Sequence, residues 1–294
     1  MKKNCRKMEI RENRVAYCFL IPWIIGMLVF YIYPFTHSLL LSFTNTKLKQ
    51  GDFIGFQNFI TLFTLDDRFI KSLEVTSKYA LIGVPLKLMF ALFLALILKN
   101  GSTFYRTALY IPSLVGGSIA AAVMWKQLFS KSGLFNSLLA IFGIEGKHWL
   151  GEPSAALNVL IILAIWQFGS SMVIFIAGLK NIPSELYEAA SIDGASYMKQ
   201  FINITLPMLS PVIQFNLILQ LVGGFQTFTQ GYIITGGGPM DETLFTVQYI
   251  YEQAFSSLKM GYASAMSWIL FILIAMIAAG IFISSKYWVY YENE

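Results

Sequence analysis

EAASIDGASYMKQFINITLP, residues 188–207, lies between two long apolar runs, and its reading decides what kind of chain this is. Asn181 can cap the turn before it, Pro183 suits an early helical position, and Glu185 and Glu188 sit where the positive end of a helix dipole favours anions. A first helix is predicted to about Asp193. Gly194 can take the positive φ that other residues resist, which permits a sharp turn. A second short helix is predicted from Ala195 to about Ile204, with Pro207 ending it. Leu186, Ala189, Ala190 and Ile192 offer a small apolar surface, while Glu185, Glu188 and Asp193 face water or a partner. The pattern suits a docking element for a soluble partner. It suits equally an interfacial loop lying against lipid headgroups.

The surrounding composition puts that element on a membrane protein. Of 294 residues, 56% are hydrophobic and only 13% are charged, which is too apolar for an ordinary soluble domain. The net charge of +5 does not point to nucleic acid. Lys2, Lys3, Arg6, Lys7, Arg11 and Arg14 crowd the amino end, where basic residues orient a first spanning helix with its start in the cytoplasm. The apolar stretch from Tyr17 to Leu41 exceeds the roughly 7–15 residues of a cleavable signal segment, so it reads as a retained helix. Cys5 and Cys18 make no metal or disulfide pattern.

A bilayer core of about 30 Å asks for about 20 apolar residues per helix. On that measure spans are predicted at Tyr17–Leu41, Leu73–Leu98, Thr107–Phe129, Ala156–Leu179, Met208–Gln230 and Ala263–Tyr287. Lys99–Arg106, Lys180–Pro207 and Lys286–Glu294 then face the cytoplasm. Lys47, Lys49, Arg68 and Lys71 fall in the first outer loop and weaken the charge asymmetry, so orientation rests on the amino tail. Pro22, Pro34 and Pro85 require neighbouring helices that re-satisfy the freed carbonyls. Lys87 is the one charge placed deep in a span. An ion path would use it, but a misplaced boundary with a snorkelling side chain is the preferred reading.

Catalysis within the chain is not expected. His37 and His148 are isolated, no nucleophile stands with a base, and Gly236-Gly237-Gly238-Pro239 lacks the following Lys and Ser or Thr of a phosphate cradle. That glycine run is a structural turn. On the fifth span Asn216, Gln220, Gly223 and Thr227 recur at intervals of four, three and four, along one helix face, and Gln167 and Ser170 do the same on the fourth. With Trp166, Phe225 and Phe228 beside them, these are the candidate lining of a translocation path. For any one of them, helix-to-helix hydrogen bonding is the competing reading.

The spacing Glu188-Ala189-Ala190, Gly194, Ile204, Leu206-Pro207 resembles, at every fixed position, the EAA loop of permease subunits in bacterial ATP-binding-cassette (ABC) importers. TGGGPMDETLFTVQYIYEQAF (235–255), FLIPWIIGMLVFYIYPF followed by SFT, GFQNF (55–59) and IPSLVGG (111–117) resemble the carbohydrate branch of that family, so the likeness covers nearly the whole chain. The resemblance implies an all-α membrane protein with the six-helix type I ABC importer (MetI-like) bundle. It divides the chain into a basic tail (1–14), a first helix with its outer loop (15–72) and a core (73–290) carrying the EAA loop at 181–207. It also implies that Glu188, Ala189, Ala190, Gly194, Leu206 and Pro207 serve contact with an ATPase subunit.

As implied by the family, this chain carries no cofactor, and ATP and Mg sit on a partner ATPase dimer. Its other partners are a second permease subunit, as a heterodimer, an extracytoplasmic solute-binding protein and membrane lipid. The cargo is a sugar or related polyol, and the location is the bacterial inner or plasma membrane. Alternatives are an ABC permease for a non-sugar solute and an ion-coupled secondary carrier. The carrier would want intramembrane carboxylates, which the spans hardly offer.

Overall fold

The computed structural model describes residues 17, 19–47 and 51–290. The basic tail, Cys5, Cys18 and Lys49 lie outside the described residues. Among the described residues, four helices are long and apolar enough to cross a membrane, and counting each of two bent helix pairs as one span gives up to six. The chain is all-helical among the described residues apart from one isolated bridge, Thr44 to Phe53.

Helix α1 (Phe19–Ser42) buries none of its apolar window and packs along the last helix. Pro34 would break a plain α-helix there. The helix instead widens into a π turn over Leu28–Ile32, in which the Tyr33 amide donates to the Leu28 carbonyl, so the ladder is re-phased just before the residue that cannot donate. The amide of Asn58, in α2 (Gln57–Thr64), donates to the Ser42 and Thr44 carbonyls at 2.8 Å each and so closes the end of α1.

Helix α3 (Asp67–Leu98) is the central pillar. Ala80, Val84, Leu88, Ala91 and Ala95 recur at helical spacing and are buried against Phe168, Met172 and Phe175 and against Leu209, Leu221 and Phe225. Without a hydrophobic force between helices in lipid, close backbone approach must supply the packing, and the alanines permit it.

The third predicted span is not one helix. It is α4 (Thr103–Val115) and α5 (Ile119–Leu128), bent by 94° at Gly116–Ser118. Pro112 and the two glycines loosen the ladder, and the Ser118 hydroxyl then caps α5 by accepting from the Ala121 amide at 3.2 Å. After α6 (Leu134–Ile141), the fourth span is also divided, into α7 (Pro153–Trp166) and α8 (Gly169–Lys180), bent by 42°.

Helices α9 (Ser184–Ile192) and α10 (Tyr197–Gln200) form the predicted helix–turn–helix. Pro207 does not end it. Chain continuity runs through a π turn, Phe201–Thr205, into α11 (Leu206–Phe225), with the Leu206 amide donating to the Phe201 carbonyl. This repeats the arrangement at Pro34: a widened turn absorbs the proline one residue later. Asn181, for its part, closes α8 rather than opening α9, whose N-cap is Pro183. The fifth span breaks again after Phe225, before α12 (Thr229–Ile234). Helix α13 (Thr246–Tyr251) and α14 (Met260–Trp288) complete the chain.

One end of the bundle is clasped by side chains. Arg68 pairs with Asp241 and Glu252 at 2.7 and 3.1 Å, and Lys71 pairs with Glu242 at 2.8 Å. Two of the basic residues that weaken the charge asymmetry in the sequence, Arg68 and Lys71, are therefore matched by acids of the segment before α14, and both loops share one face. Asp66 sits beneath this clasp. Its carboxylate accepts the Phe69 amide at 2.9 Å as the cap of α3, and the hydroxyls of Tyr249 and Tyr262 at 3.0 and 2.6 Å. Burial, reinforced by the facing carboxylate, pushes the Tyr249 phenol up to about 12, so it remains a donor.

Asp66→Ala removes a cap and two charge-assisted bonds, and is expected to cost about 2–4 kcal/mol. Arg68→Ala is expected to cost no more than about 1 kcal/mol, because its side chain is 45% exposed. Thermal unfolding of the purified protein in detergent should rank Asp66→Ala well below Arg68→Ala, and the reverse order would contradict this assignment.

Candidate functional site

Two features stand out, one at a membrane surface and one inside the bundle. At the surface, α9 ends in a Schellman closure: the Ala195 amide donates to the Ala190 carbonyl at 2.9 Å and the Gly194 amide to the Ser191 carbonyl at 3.1 Å, with Gly194 at φ +73°. The turn leaves Glu188 and Ala189 exposed, Ala190 half-buried, and Ile192 87% exposed. Leu206 and Pro207 stand apart from this knob, at the head of α11.

The knob is wired to the bundle. Tyr187 of α9 shares a hydrogen bond with Thr205 in the π turn at 2.9 Å, and the Lys99 ammonium lies 5.2 Å from the Tyr187 ring centroid. The Gln200 amide donates to Ser191 and to the Ala195 carbonyl, which fixes α10 against α9. The Tyr187–Thr205 bond thus ties α9 to the turn that opens α11.

Inside the bundle, a cavity of about 320 Å³ opens between α3, α7 and α11, beside the helix breaks. The breaks are bonded to one another. The Ser113 hydroxyl donates to the Gln167 carbonyl at 3.1 Å and accepts the Ser170 amide at 3.0 Å, while the Gln230 side chain donates to the Gly116 carbonyl at 3.4 Å. A Cβ on Gly116 would collide with the Gln167 side chain. Irregular backbone at this depth is tolerated where it lines a cavity, and here it does.

Of the residues singled out by periodicity, Gln167, Gln220, Gly223 and Thr227 line the cavity. Ser170 and Asn216 do not. Ser170 is held at its backbone by Ser113, and Asn216 is fully buried, its amide donating to the Ser171 carbonyl at 3.4 Å. That is the helix-to-helix bond of the competing reading. Of the aromatic neighbours, Phe228 reaches the cavity, Phe225 is buried in the core and Trp166 packs on Trp125.

Periodicity missed Tyr79, Gln226, Gln230 and above all Lys87. This lysine is not at a boundary: its ammonium donates to the Gln220 side-chain oxygen at 2.8 Å within the cavity wall. The signal was Gly83, one turn earlier on the same face, which also lines the cavity.

Residues 81–287 match the family described as "Binding-protein-dependent transport system inner membrane component", so the match runs from within α3 into α14 and includes the knob and all of the cavity lining but Tyr79. The probable ABC transporter permease protein YesP of Bacillus subtilis (strain 168) is 48% identical over 291 residues, covering 97% of this chain and 94% of that protein. The arabinooligosaccharides transport system permease protein AraP of the same organism is 32% identical over 279 residues, covering 93% and 89%.

A chain in the crystal structure of a bacterial alginate ABC transporter, in complex with an alginate pentasaccharide-bound periplasmic protein, superposes with a TM-score of 0.83 at 23% identity. The match covers 95% of this chain and 96% of that one, and shows the type I importer fold. The chain thus belongs to the binding-protein-dependent transport system inner membrane component family, as a multi-pass permease subunit of an ABC importer.

Proposed function

We propose that this chain is one of two permease subunits that pass a carbohydrate or related polyol through the cavity between α3, α7 and α11. An extracytoplasmic binding protein delivers the solute. ATP and Mg are held by a separate ATPase dimer that docks on Glu188, Ala189, Ala190 and Gly194, with the amino terminus on the same, cytoplasmic side. Closure of the ATPases pushes α9, the Tyr187–Thr205 bond carries the push to α11, and the helices rock to expose the cavity alternately to either side.

One observation carries the choice of cargo: the polar wall of the cavity is made mainly of glutamine amides and threonine hydroxyls, with the Tyr79 and Phe228 rings and the Lys87 ammonium beside them, and amides, hydroxyls and aromatic faces are the groups that read sugar hydroxyls and pyranose faces. The relative named for arabinooligosaccharide transport supports the same reading. In a reconstituted complex of both permeases, the ATPase and the binding protein, a saccharide is expected to raise ATP hydrolysis. Stimulation by an oligopeptide or polyamine instead would replace the cargo assignment. Uptake that needs no ATPase and collapses with an ion gradient would make the chain a secondary carrier.

A further inference from the structure

We propose that Lys87 recognises an anionic group on the transported saccharide, so that the cargo is an acidic sugar of the uronic-acid type rather than a neutral one. This rests on the carbohydrate reading above. Lys87 lies about two-thirds of the way along the 32-residue α3, flanked by the buried Gly83, Val84, Leu88 and Ala91. About 16 Å of helix separates it from Leu98, beyond the reach of a lysine stem, so the ammonium does not snorkel to the surface. A cation at such depth is expensive unless it faces a polar cavity or a counter-ion.

Lys87 has the cavity and, among the described residues, no counter-ion. Among the described residues, the ion pairs formed by lysine and arginine side chains are those of Arg68, Lys71 and Lys78, all near the start of α3. No carboxylate stands among the residues that line the cavity. An ammonium has three protons to donate, and the Gln220 oxygen takes one without supplying charge. The remaining lining groups, chiefly Gln167, Gln226, Gln230 and Thr227, are neutral. The cavity therefore carries an uncompensated positive charge in surroundings of low dielectric constant, where a carboxylate on the solute gains far more than a hydroxyl and an amine is repelled. A lysine suits a moving cargo, because a point charge accepts a carboxylate from many directions where the planar guanidinium of arginine fixes one.

The test uses the whole importer in proteoliposomes and two labelled probes of equal length, a uronate trisaccharide and a neutral hexose trisaccharide. The wild type is expected to favour the uronate. Lys87→Gln is expected to lower the uronate-to-neutral uptake ratio about tenfold or more, and Lys87→Arg to keep the preference. An unchanged ratio in Lys87→Gln overturns the proposal, as does a wild type that imports only the neutral sugar, an outcome that leaves the carbohydrate reading standing. If Lys87→Gln does not assemble, the wild-type preference decides between the two. Assembly restored by neutralising a carboxylate on the partner permease would make Lys87 a subunit-pairing residue and also overturn the proposal. Import of neither sugar, with another solute class carried, would instead bring down the carbohydrate reading itself.

Discussion

A Gly194→Val permease is expected to lose its ATPase subunit on purification and to import no solute, while Gly194→Asn keeps most of both. The reason lies in the backbone, not in crowding. No atom lies within 4 Å of where a Cβ at Gly194 would stand, yet φ is +73°. An L-residue held there costs about 1–2 kcal/mol, more for a β-branched side chain, whereas asparagine tolerates the region. That cost falls on the two closing bonds, Ala195 to Ala190 and Gly194 to Ser191, which set the angle between α9 and α10.

Losing even about 1.4 kcal/mol lowers the closed-to-open ratio of the turn by roughly tenfold. The exposed Glu188–Ala189 surface then no longer presents one shape to a partner. Subunit ratios after affinity purification, together with uptake in vesicles, measure the effect. A valine variant that retains its ATPase and its transport would remove Gly194 from the coupling pathway.

That turn was readable in the sequence because its determinants are local: a run of good helix formers, acids early, a glycine at the end. The spans were readable for a similar reason, since apolar length is a property of the chain itself. The breaks inside them were not. Averaged hydropathy passes smoothly over Pro112, Gly116 and Gly117 and over Gln167 and Phe168. What stabilises the breaks is Ser113 reaching Gln167 and Gln230 reaching Gly116, contacts between remote segments.

The proline rule failed at Pro207 because a π turn absorbs the missing donor, and no single residue announces such a turn. Asn216 and Gln220 share a helix face, as their spacing requires. One turn nonetheless packs against α8 while the next opens to the cavity, since the neighbour ends and the helix does not. From sequence Lys87 reads as a boundary residue because its partner, Gln220, is 133 residues away.

The adjacent glycines of α11, Gly223 and Gly224, both line the cavity, but Gly224 is also packed against α3, and their substitution is expected to give opposite phenotypes. At Gly223 a Cβ would meet nothing within 4 Å, and the residue lines the cavity. A tryptophan there is helix-compatible and grows into open space, so Gly223→Trp is expected to assemble normally and reduce uptake to background by occupying the path. At Gly224 a Cβ would lie 3.3 Å from the Ala80 methyl and from Val84, on the buried face of α3. Leucine at this position must push the two helices apart, an overpacking cost of about 1–3 kcal/mol, and is expected to lower the folded yield and the unfolding temperature of what remains. Size-exclusion profiles and vesicle uptake of the two variants distinguish the cases. Undiminished import by an assembled Gly223→Trp complex would mean that the solute crosses elsewhere, because a filled cavity cannot also be the route.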